Sequence, residues 1–201
     1  EPKLLYFFTQ PHSKNKGHED DGRLNLEIFG LSSSIGEAIL MRTCLSMLEE
    51  IGYTNMFVGI NSIGDKESMV RFSREYISYY KRRGLELHAL CRENLKKNLW
   101  KTFLCKSERC IAIREEAPQS ISYLSEASRQ HFREVLEFLE AMQTTYEIDS
   151  NLIRDTDRFC ETLFEIRQSI GGANENDQPT SEILAHGGRY NYFARRVGSK
   201  K

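Results

Sequence analysis

The sequence has little of what marks a disordered, membrane-spanning or secreted chain. Only 4 of its 201 residues are proline, 39% are hydrophobic and 28% are charged, which excludes wholesale disorder. No apolar run approaches the roughly 18 residues that a transmembrane helix needs, so no membrane span is predicted. The first residues, EPKLLYFF, lack the basic and then long apolar segments of a signal peptide. We therefore expect a cytoplasmic protein.

The chain also lacks an excess of charge of either sign. Lys and Arg total 28 against 29 Asp and Glu, so the formal net charge is -1. A protein that coats a nucleic-acid duplex is strongly basic, so that class is disfavoured, although a local basic site stays possible. The same balance argues against tRNA as a partner.

Familiar metal and catalytic motifs are absent. There is no Walker loop, GxGxxG, HExxH or GxSxG. The five cysteines are an odd number and form no CxxC pair, and Cys105 and Cys110 have no histidine nearby. We therefore predict no metal site and five reduced thiols. The sequence does not begin with Met, so it is either processed or starts inside a longer protein.

The patterns that are present alternate between helix and strand. Helical spacing of apolar residues follows Ser32–Ser34 and ends at Gly52, and Asp65 is placed to cap a second helix that closes at Gly84. Further helices are predicted over 85–97 and 120–142. The apolar stripes of these helices are predicted to be core.

Strands are predicted in the middle and the last third of the chain. They cover 56–61, 145–149, 160–167 (half-buried) and 182–193, with a polar loop at 168–181 and a tight GG turn in the last strand. Because strands near a long loop favour antiparallel pairing, we predict an α/β (α+β) fold with a mainly antiparallel sheet flanked by helices. We find no internal repeat or linker and expect a single domain over 1–201.

Three clusters could carry chemistry. In LIRDTDRF (152–159), Arg154 could present a guanidinium to a phosphate or carboxylate, or the segment could be a solvated turn. In AHGGRYN (185–191), the glycines either allow close approach to a ligand or make a turn. In 10–30, Glu27 lies in an apolar run, and a buried carboxylate there needs a protein or ligand partner.

Together these segments resemble the histidyl-tRNA synthetases. The segments LNLEIFG, INSIGDKES, NLWKTFLCKSERC, QHFREVLEFLE, LIRDTDRFCETLFEI and HGGRYN occur in that family in the same order and at similar spacing. The resemblance runs from about Lys3 to Arg195. It implies the class II aminoacyl-tRNA synthetase catalytic core, with ATP and histidine bound on an antiparallel sheet. It also implies kinship with the histidyl-like regulatory subunit of ATP phosphoribosyltransferase and the pseudo-synthetase domain of a stress-sensing kinase.

The resemblance implies roles for individual residues. Arg154 matches the arginine of the RGLDYY motif, which would neutralise charge on the α-phosphate during histidine activation. Glu27 matches the motif 2 carboxylate that hydrogen-bonds the substrate imidazole, and Asp157 matches the aspartate that shapes the RGLDYY loop. Phe159 stands where the family has a histidine-contacting tyrosine. The GGRYD segment that closes the amino-acid pocket is matched by Gly187, Gly188, Arg189 and Tyr190, with Asn191 in place of the aspartate.

The chain also departs from the family. No arginine stands where motif 2 grips ATP, so Lys14 and Arg23, which replaces a glutamine, are weak candidates for ATP binding. Asp155 replaces a glycine beside Arg154 and would partly cancel its charge. In the same motif Arg158 replaces the first tyrosine. No segment resembles motif 1, motif 3 or an anticodon-binding domain, so we expect a catalytic-type domain without them.

Three functional hypotheses remain open. The chain is a synthetase-like protein whose ATP-dependent histidine activation is degraded or lost, and which acts by binding or regulation. Alternatively it is a fragment of an active histidine–tRNA ligase, which would use ATP and Mg²⁺, or a regulatory subunit that senses histidine. Expected partners are histidine or another small molecule, and a second copy or a different protein chain, through a surface other than motif 1.

Overall fold

The computed structural model describes residues 1–9, 22–154, 156–170 and 180–191. The strands are β1 (Lys3–Thr9), β2 (Arg23–Phe29), β3 (Met56–Gly64), β4 (Tyr146–Ile148), β5 (Cys160–Ile170) and β6 (Thr180–Arg189). The α-helices are α1 (Ile35–Glu50), α2 (Lys66–Arg82), α3 (Ala89–Lys97), α4 (Glu108–Glu115) and α5 (Glu126–Ala141). Two 3₁₀ helices, Leu99–Leu104 and Ser120–Tyr123, connect them.

The main sheet has four strands in the order β4-β3-β5-β6. The β3–β5 and β5–β6 pairs are antiparallel, whereas β3 and β4 run parallel. Strands β1 and β2 form a separate antiparallel hairpin. The predicted architecture, a mainly antiparallel sheet flanked by helices, is therefore confirmed.

Two apolar clusters hold the elements together. One packs α1 and α5 onto one face of β3 and β5, with Met41, Val135 and Ile166 fully buried at its centre. The other joins α2 to α3, α4 and the Leu99–Leu104 helix, where Phe72 and Tyr76 are almost fully buried. Strand β5 supplies Phe164 to the first cluster and Leu163 to the second, so it is covered on both faces rather than half-buried as predicted.

Local sequence signals explain where the helices begin and end. The Asp65 carboxylate caps α2 as predicted, accepting from the Ser68 backbone N–H at 2.8 Å. Gly52, with φ near +100°, follows the C-cap of α1 as predicted. Ser34 is the N-cap of α1, but its hydroxyl donates to Glu134 at 2.6 Å instead of capping the helix.

Several predicted boundaries were wrong. The helix predicted over 85–97 begins at Ala89, because residues 83–87 form turns, and the region 120–142 divides into a 3₁₀ helix and α5. Strand β5 continues to Ile170 and β6 starts at Thr180, so the predicted loop is shorter than 168–181. None of the described helices is long and apolar enough to cross a bilayer.

The predicted GG turn is also wrong. Gly187 and Gly188 lie inside β6, opposite Phe164 and Leu163, beside a register shift in the ladder. A Cβ on Gly187 would lie 2.6 Å from the Phe164 ring, and one on Gly188 would lie 2.7 Å from the Thr162 carbonyl oxygen. Glycine is needed here because β5 comes too close for a side chain, and not because the chain reverses.

Candidate functional site

The hairpin and the ends of β5 and β6 bring together residues far apart in the sequence. Glu27 projects from β2 on the same hairpin face as Phe29, whose ring meets Tyr190 edge-on with 6.3 Å between centroids. Tyr190 follows β6 and packs against the cluster that contains Phe159. The structure therefore places three of the predicted histidine-binding residues, Glu27, Phe159 and Tyr190, in one neighbourhood.

The Tyr190 hydroxyl is the most informative atom of this neighbourhood. It is buried without a hydrogen bond of regular geometry from the described part of the chain, and the Glu27 carboxylate is close enough to accept from it and to raise its pKa. Burial, and then the negative charge of Glu27, raise the pKa of Tyr190 to about 12, so it is a neutral phenol at physiological pH. A neutral buried hydroxyl beside a carboxylate is poised to bond a polar ligand atom.

A cation lies beside these two groups. The Arg158 guanidinium stacks over the Phe159 ring, 5.4 Å from its centroid, and its charge acts on Tyr190 in the direction opposite to that of Glu27. Arg158 replaces a tyrosine of the RGLDYY motif, so this cation is a feature of the present sequence. Phe159 offers only an aromatic face where a hydroxyl was expected from the family.

Arg154 is not left facing an empty phosphate site. Its Nη1 donates to Oε1 of Glu165, a carboxylate that is 4% exposed on the central strand β5. Glu165 also accepts from Arg167 at 2.7 Å, and Arg167 donates to Asp149 at 2.6 Å. The result is a chain of alternating charges in which Arg154 is already neutralised by the protein.

Arg189 is similarly engaged. Its Nε and Nη2 donate to the two oxygens of Glu37 at 2.7 and 2.5 Å, and backbone carbonyls of Ser32 and Ser33 accept from Nη1 and Nη2 at 3.1 and 2.9 Å. The pair ties the end of β6 to the start of α1. Substrate contact by Arg189 stays a prediction, because within the chain its nitrogens are occupied by Glu37 and these carbonyls.

The remaining predicted residues are placed apart or not described. Arg23 lies on β2 opposite Thr9, exposed, on the Glu27 face of the hairpin. Lys14 and Asp155 lie outside the described residues, so their predicted roles stay predictions. Gly187 and Gly188 position the end of β6, which Tyr190 follows, and a Cβ at Gly188 would lie only 3.1 Å from Phe159 Cδ1.

Sequence reasoning missed two acids and a thiol cluster. Glu37 and Glu165 stand among apolar residues in patterns that predicted core, and a carboxylate at such a position is the signal that a cation partner exists. The sulfurs of Cys91, Cys105 and Cys110 lie within 4.8 Å of one another. Their separation along the chain concealed this grouping, and they are the described residues most suited to hold a metal.

An open cleft of about 460 Å³ lies elsewhere, lined in part by Arg114, Asp149 and Arg167. Neither Glu27 nor Tyr190 lines it. One of its lining residues, Arg167, belongs to the charge chain with Glu165 and Arg154. The chemistry of the site therefore depends on Glu27, Tyr190 and their neighbours and not on this cleft.

Comparison with known proteins identifies the relationship. The histidine–tRNA ligase of Halothermothrix orenii is 32% identical over 178 residues, covering 89% of this chain and 41% of the relative. That of Bacillus subtilis is 29% identical over 202 residues, covering 98% and 46%. The chain is a relative of the histidyl-tRNA synthetases. No protein-family model matches it.

Solved structures establish the fold. Apo S. aureus histidyl-tRNA synthetase superposes with a TM-score of 0.72 at 20% identity, over 98% of this chain and 46% of that chain. An ATP phosphoribosyltransferase regulatory subunit/histidyl-tRNA synthetase from Bacillus halodurans gives a TM-score of 0.55 at 15% identity, over 98% and 53%. The synthetase-like chain thus has the class II catalytic fold, and it spans about half the length of the relatives it matches.

Proposed function

We propose that this synthetase-like chain binds histidine or a related imidazole compound between Glu27 and Tyr190, acts by binding or regulation, and has weakened or lost ATP-dependent histidine activation. The buried Tyr190 hydroxyl, which has no hydrogen bond of regular geometry and lies beside the Glu27 carboxylate, carries the proposal. A hydroxyl buried without a partner costs about 1–3 kcal/mol, so a site that keeps one gains when a ligand atom satisfies it.

The imidazole ring fits this pair of groups. Its N–H is a donor that Glu27 can accept, and its other nitrogen accepts from the neutral Tyr190 hydroxyl. The Phe159 ring can supply an apolar wall for the ligand. A ligand without the second ring nitrogen could not accept a hydrogen bond from Tyr190, so this arrangement also supplies selectivity.

The phosphate side of the site supports weakened chemistry. Histidine activation requires fixed positive charge at the α-phosphate, where each such group contributes about 3–4 kcal/mol to the transition state. Arg154 pairs with the buried Glu165, and no arginine stands where motif 2 of the family grips ATP, Lys14 being the nearest cation in the sequence. Both features weaken the cationic contacts available to the phosphates of ATP.

Two alternatives keep specific support. The curated relatives are named histidine–tRNA ligases, which favours an active enzyme that uses ATP, Mg²⁺ and tRNA. The structural neighbour whose name includes a regulatory subunit favours a histidine sensor. A sensor and a degraded synthetase share the histidine pocket, whereas an active ligase must also turn over ATP.

Calorimetry with L-histidine on the protein that carries this chain tests the pocket. We expect Glu27→Gln to weaken binding roughly tenfold or more and Tyr190→Phe to weaken it about two- to tenfold, because a hydrogen bond to a charged group contributes about 1.5–3 kcal/mol and a neutral one about 0.5–1.5 kcal/mol. The exposed Tyr53→Phe is the matched control and should bind as the parent does. No heat from the parent protein would reject the pocket.

An ATP–pyrophosphate exchange assay with histidine separates the hypotheses. Binding without exchange supports the degraded synthetase or the sensor. Exchange at a rate near that of ordinary synthetases contradicts the proposed loss of activation and supports the active ligase.

A further inference from the structure

Three cysteines from three different elements meet at their sulfur atoms. Cys91 lies in the first turn of α3, Cys105 follows the Leu99–Leu104 helix, and Cys110 lies in the first turn of α4. All three sulfurs are within 4.8 Å of one another. Cys91 and Cys110 are 1% and 2% exposed, while Cys105 is partly open to solvent.

The helices that carry these thiols are short. Helices α3 and α4 have only 9 and 8 residues, and neither has a side-chain hydrogen bond at its N-cap. Helices shorter than about 12–15 residues are marginal without tertiary support. Nearby Leu85, Leu90 and Leu104 are all more than 60% exposed and add little burial. A metal bridge between the three elements would add a cross-link to the apolar packing that joins them to α2.

We propose that Cys91, Cys105 and Cys110 bind one Zn²⁺ ion as a three-thiolate site whose fourth position is filled by water. Each Zn–S bond is about 2.3 Å, which places tetrahedral thiolates about 3.8 Å apart. The present sulfur positions are therefore within about 1 Å of that triangle. Solvent can reach the fourth position because Cys105 is partly exposed.

The surroundings suit thiolates. The backbone N–H of His88 donates to Cys110 Sγ at 3.4 Å. Arg114 holds the Cys105 segment by donating to the carbonyls of Thr102, Phe103 and Cys105 at 3.1, 3.0 and 3.3 Å. Its charge offsets the single net negative charge of Zn²⁺ with three thiolates. Groups that hydrogen-bond the ligands or hold the segments carrying them are regular features of protein metal sites.

Hydrogen bonds among the three thiols shift the pKa values of Cys105 and Cys91 in opposite directions. Burial alone would raise the pKa of Cys105, but the Ser107 backbone N–H, the neighbouring thiols and Arg114 lower it overall. Cys91 is the opposite case, because burial raises its pKa to about 12. Zinc would displace the protons of all three thiols as the Zn–S bonds form, without any change in oxidation state. The competing reaction is the formation of a disulfide between two of the sulfurs, which requires an oxidant.

The test uses the parent protein, purified with a reductant and without chelators. We expect about one zinc per chain by elemental analysis, and intense sulfur-to-metal absorption when Co²⁺ replaces zinc. Added zinc should slow alkylation of Cys91, Cys105 and Cys110, mapped by peptide mass spectrometry, while leaving Cys44 unchanged. Cys44 is the internal control because it lies in α1, packed against the other apolar cluster.

Variants assign the ligands. Cys91→Ser, Cys105→Ser and Cys110→Ser should each weaken zinc roughly tenfold or more in competition with a chromogenic chelator, whereas Cys44→Ser should not. Equal alkylation with and without zinc, no Co²⁺–thiolate absorption, or a disulfide within the cluster under reducing purification would each overturn the proposal. The alkylation and Co²⁺ measurements use the parent protein, so they can reject the proposal even if the variants misfold.

Discussion

Arg189 and Glu37 form a buried ion pair whose partners are 152 residues apart in the sequence. Both side chains are less than 10% exposed, so removing one partner leaves the other charge desolvated. We expect Arg189→Ala to lower the free energy of unfolding by about 3–5 kcal/mol, measured by urea denaturation. Arg42→Ala breaks the exposed pair with Glu49 and should cost less than about 1 kcal/mol. Equal losses would contradict the structural role of Arg189.

Glu37 also makes stability depend on pH. Burial alone would raise its pKa, but hydrogen bonds from Arg189 and His131 outweigh burial and hold the pKa below its ordinary 4.5. Since the folded pKa lies below the unfolded one, this contribution is complete above about pH 4.5 and is lost as the pH falls through the folded value. We expect Glu37→Gln to flatten the acid limb of stability against pH, followed by urea midpoints. Glu50→Gln, an exposed position on the same helix, should keep the parent slope.

At the scale of elements, Asp65 joins the starts of α2 and α5. Its carboxylate accepts from Ser68 N and Ser68 Oγ at 2.8 and 2.7 Å and from Ser125 Oγ, the N-cap of α5, at 2.8 Å. We expect Asp65→Ala to cost about 2 kcal/mol in urea denaturation, the upper end for a single cap, because two helix starts lose an acceptor. Asp65→Asn should recover part of the unfolding free energy that Asp65→Ala loses. Ser107→Ala, at an N-cap without a side-chain bond, should cost less than about 0.5 kcal/mol.

Gly188 is the element-scale constraint of strand β6. A Cβ there would lie 2.7 Å from the backbone oxygen of Thr162, which cannot rotate away, and 3.1 Å from Phe159. We expect Gly188→Ala to destabilise the protein by about 1–3 kcal/mol in thermal or urea unfolding and to weaken histidine binding by moving Phe159. Gly22→Ala has no atom within 4 Å of the new Cβ and serves as control. A Gly188 variant as stable as the Gly22 variant would show that β5 can move far enough to make room for the added Cβ.

The sequence predicts features that depend on neighbouring residues better than contacts between distant segments. Asp65, Gly52 and the helix stripes are signals read within a few residues, and those helices were predicted close to their observed bounds. The position of Gly188, the pairing of Arg154 with Glu165 and the meeting of the three thiols depend on strand register and on packing between distant segments. No local period encodes such contacts, so the site was reached only through the resemblance to a family.

At the scale of the whole molecule, the two faces of the β1–β2 hairpin differ in what they contact. The face with Glu27 meets Tyr190 through Phe29. The opposite face is a ladder of apolar pairs, Leu4 with Ile28, Tyr6 with Leu26 and Phe8 with Leu24. Tyr6 and Phe8 are 74% and 76% exposed there. A contiguous apolar face of this kind needs a cover, from another part of the protein or from a second chain.

We therefore expect the 201-residue chain by itself to associate through this ladder. Its weight-average sedimentation coefficient should rise with concentration, and the double variant Tyr6→Lys, Phe8→Lys should abolish that rise, because charges on an exposed strand face block pairing without entering a core. Leu85→Lys, at an isolated leucine that is 93% exposed, should associate as the parent does. A parent chain that stays monomeric over the whole concentration series would show that this apolar face of the hairpin can stay exposed to water without a partner.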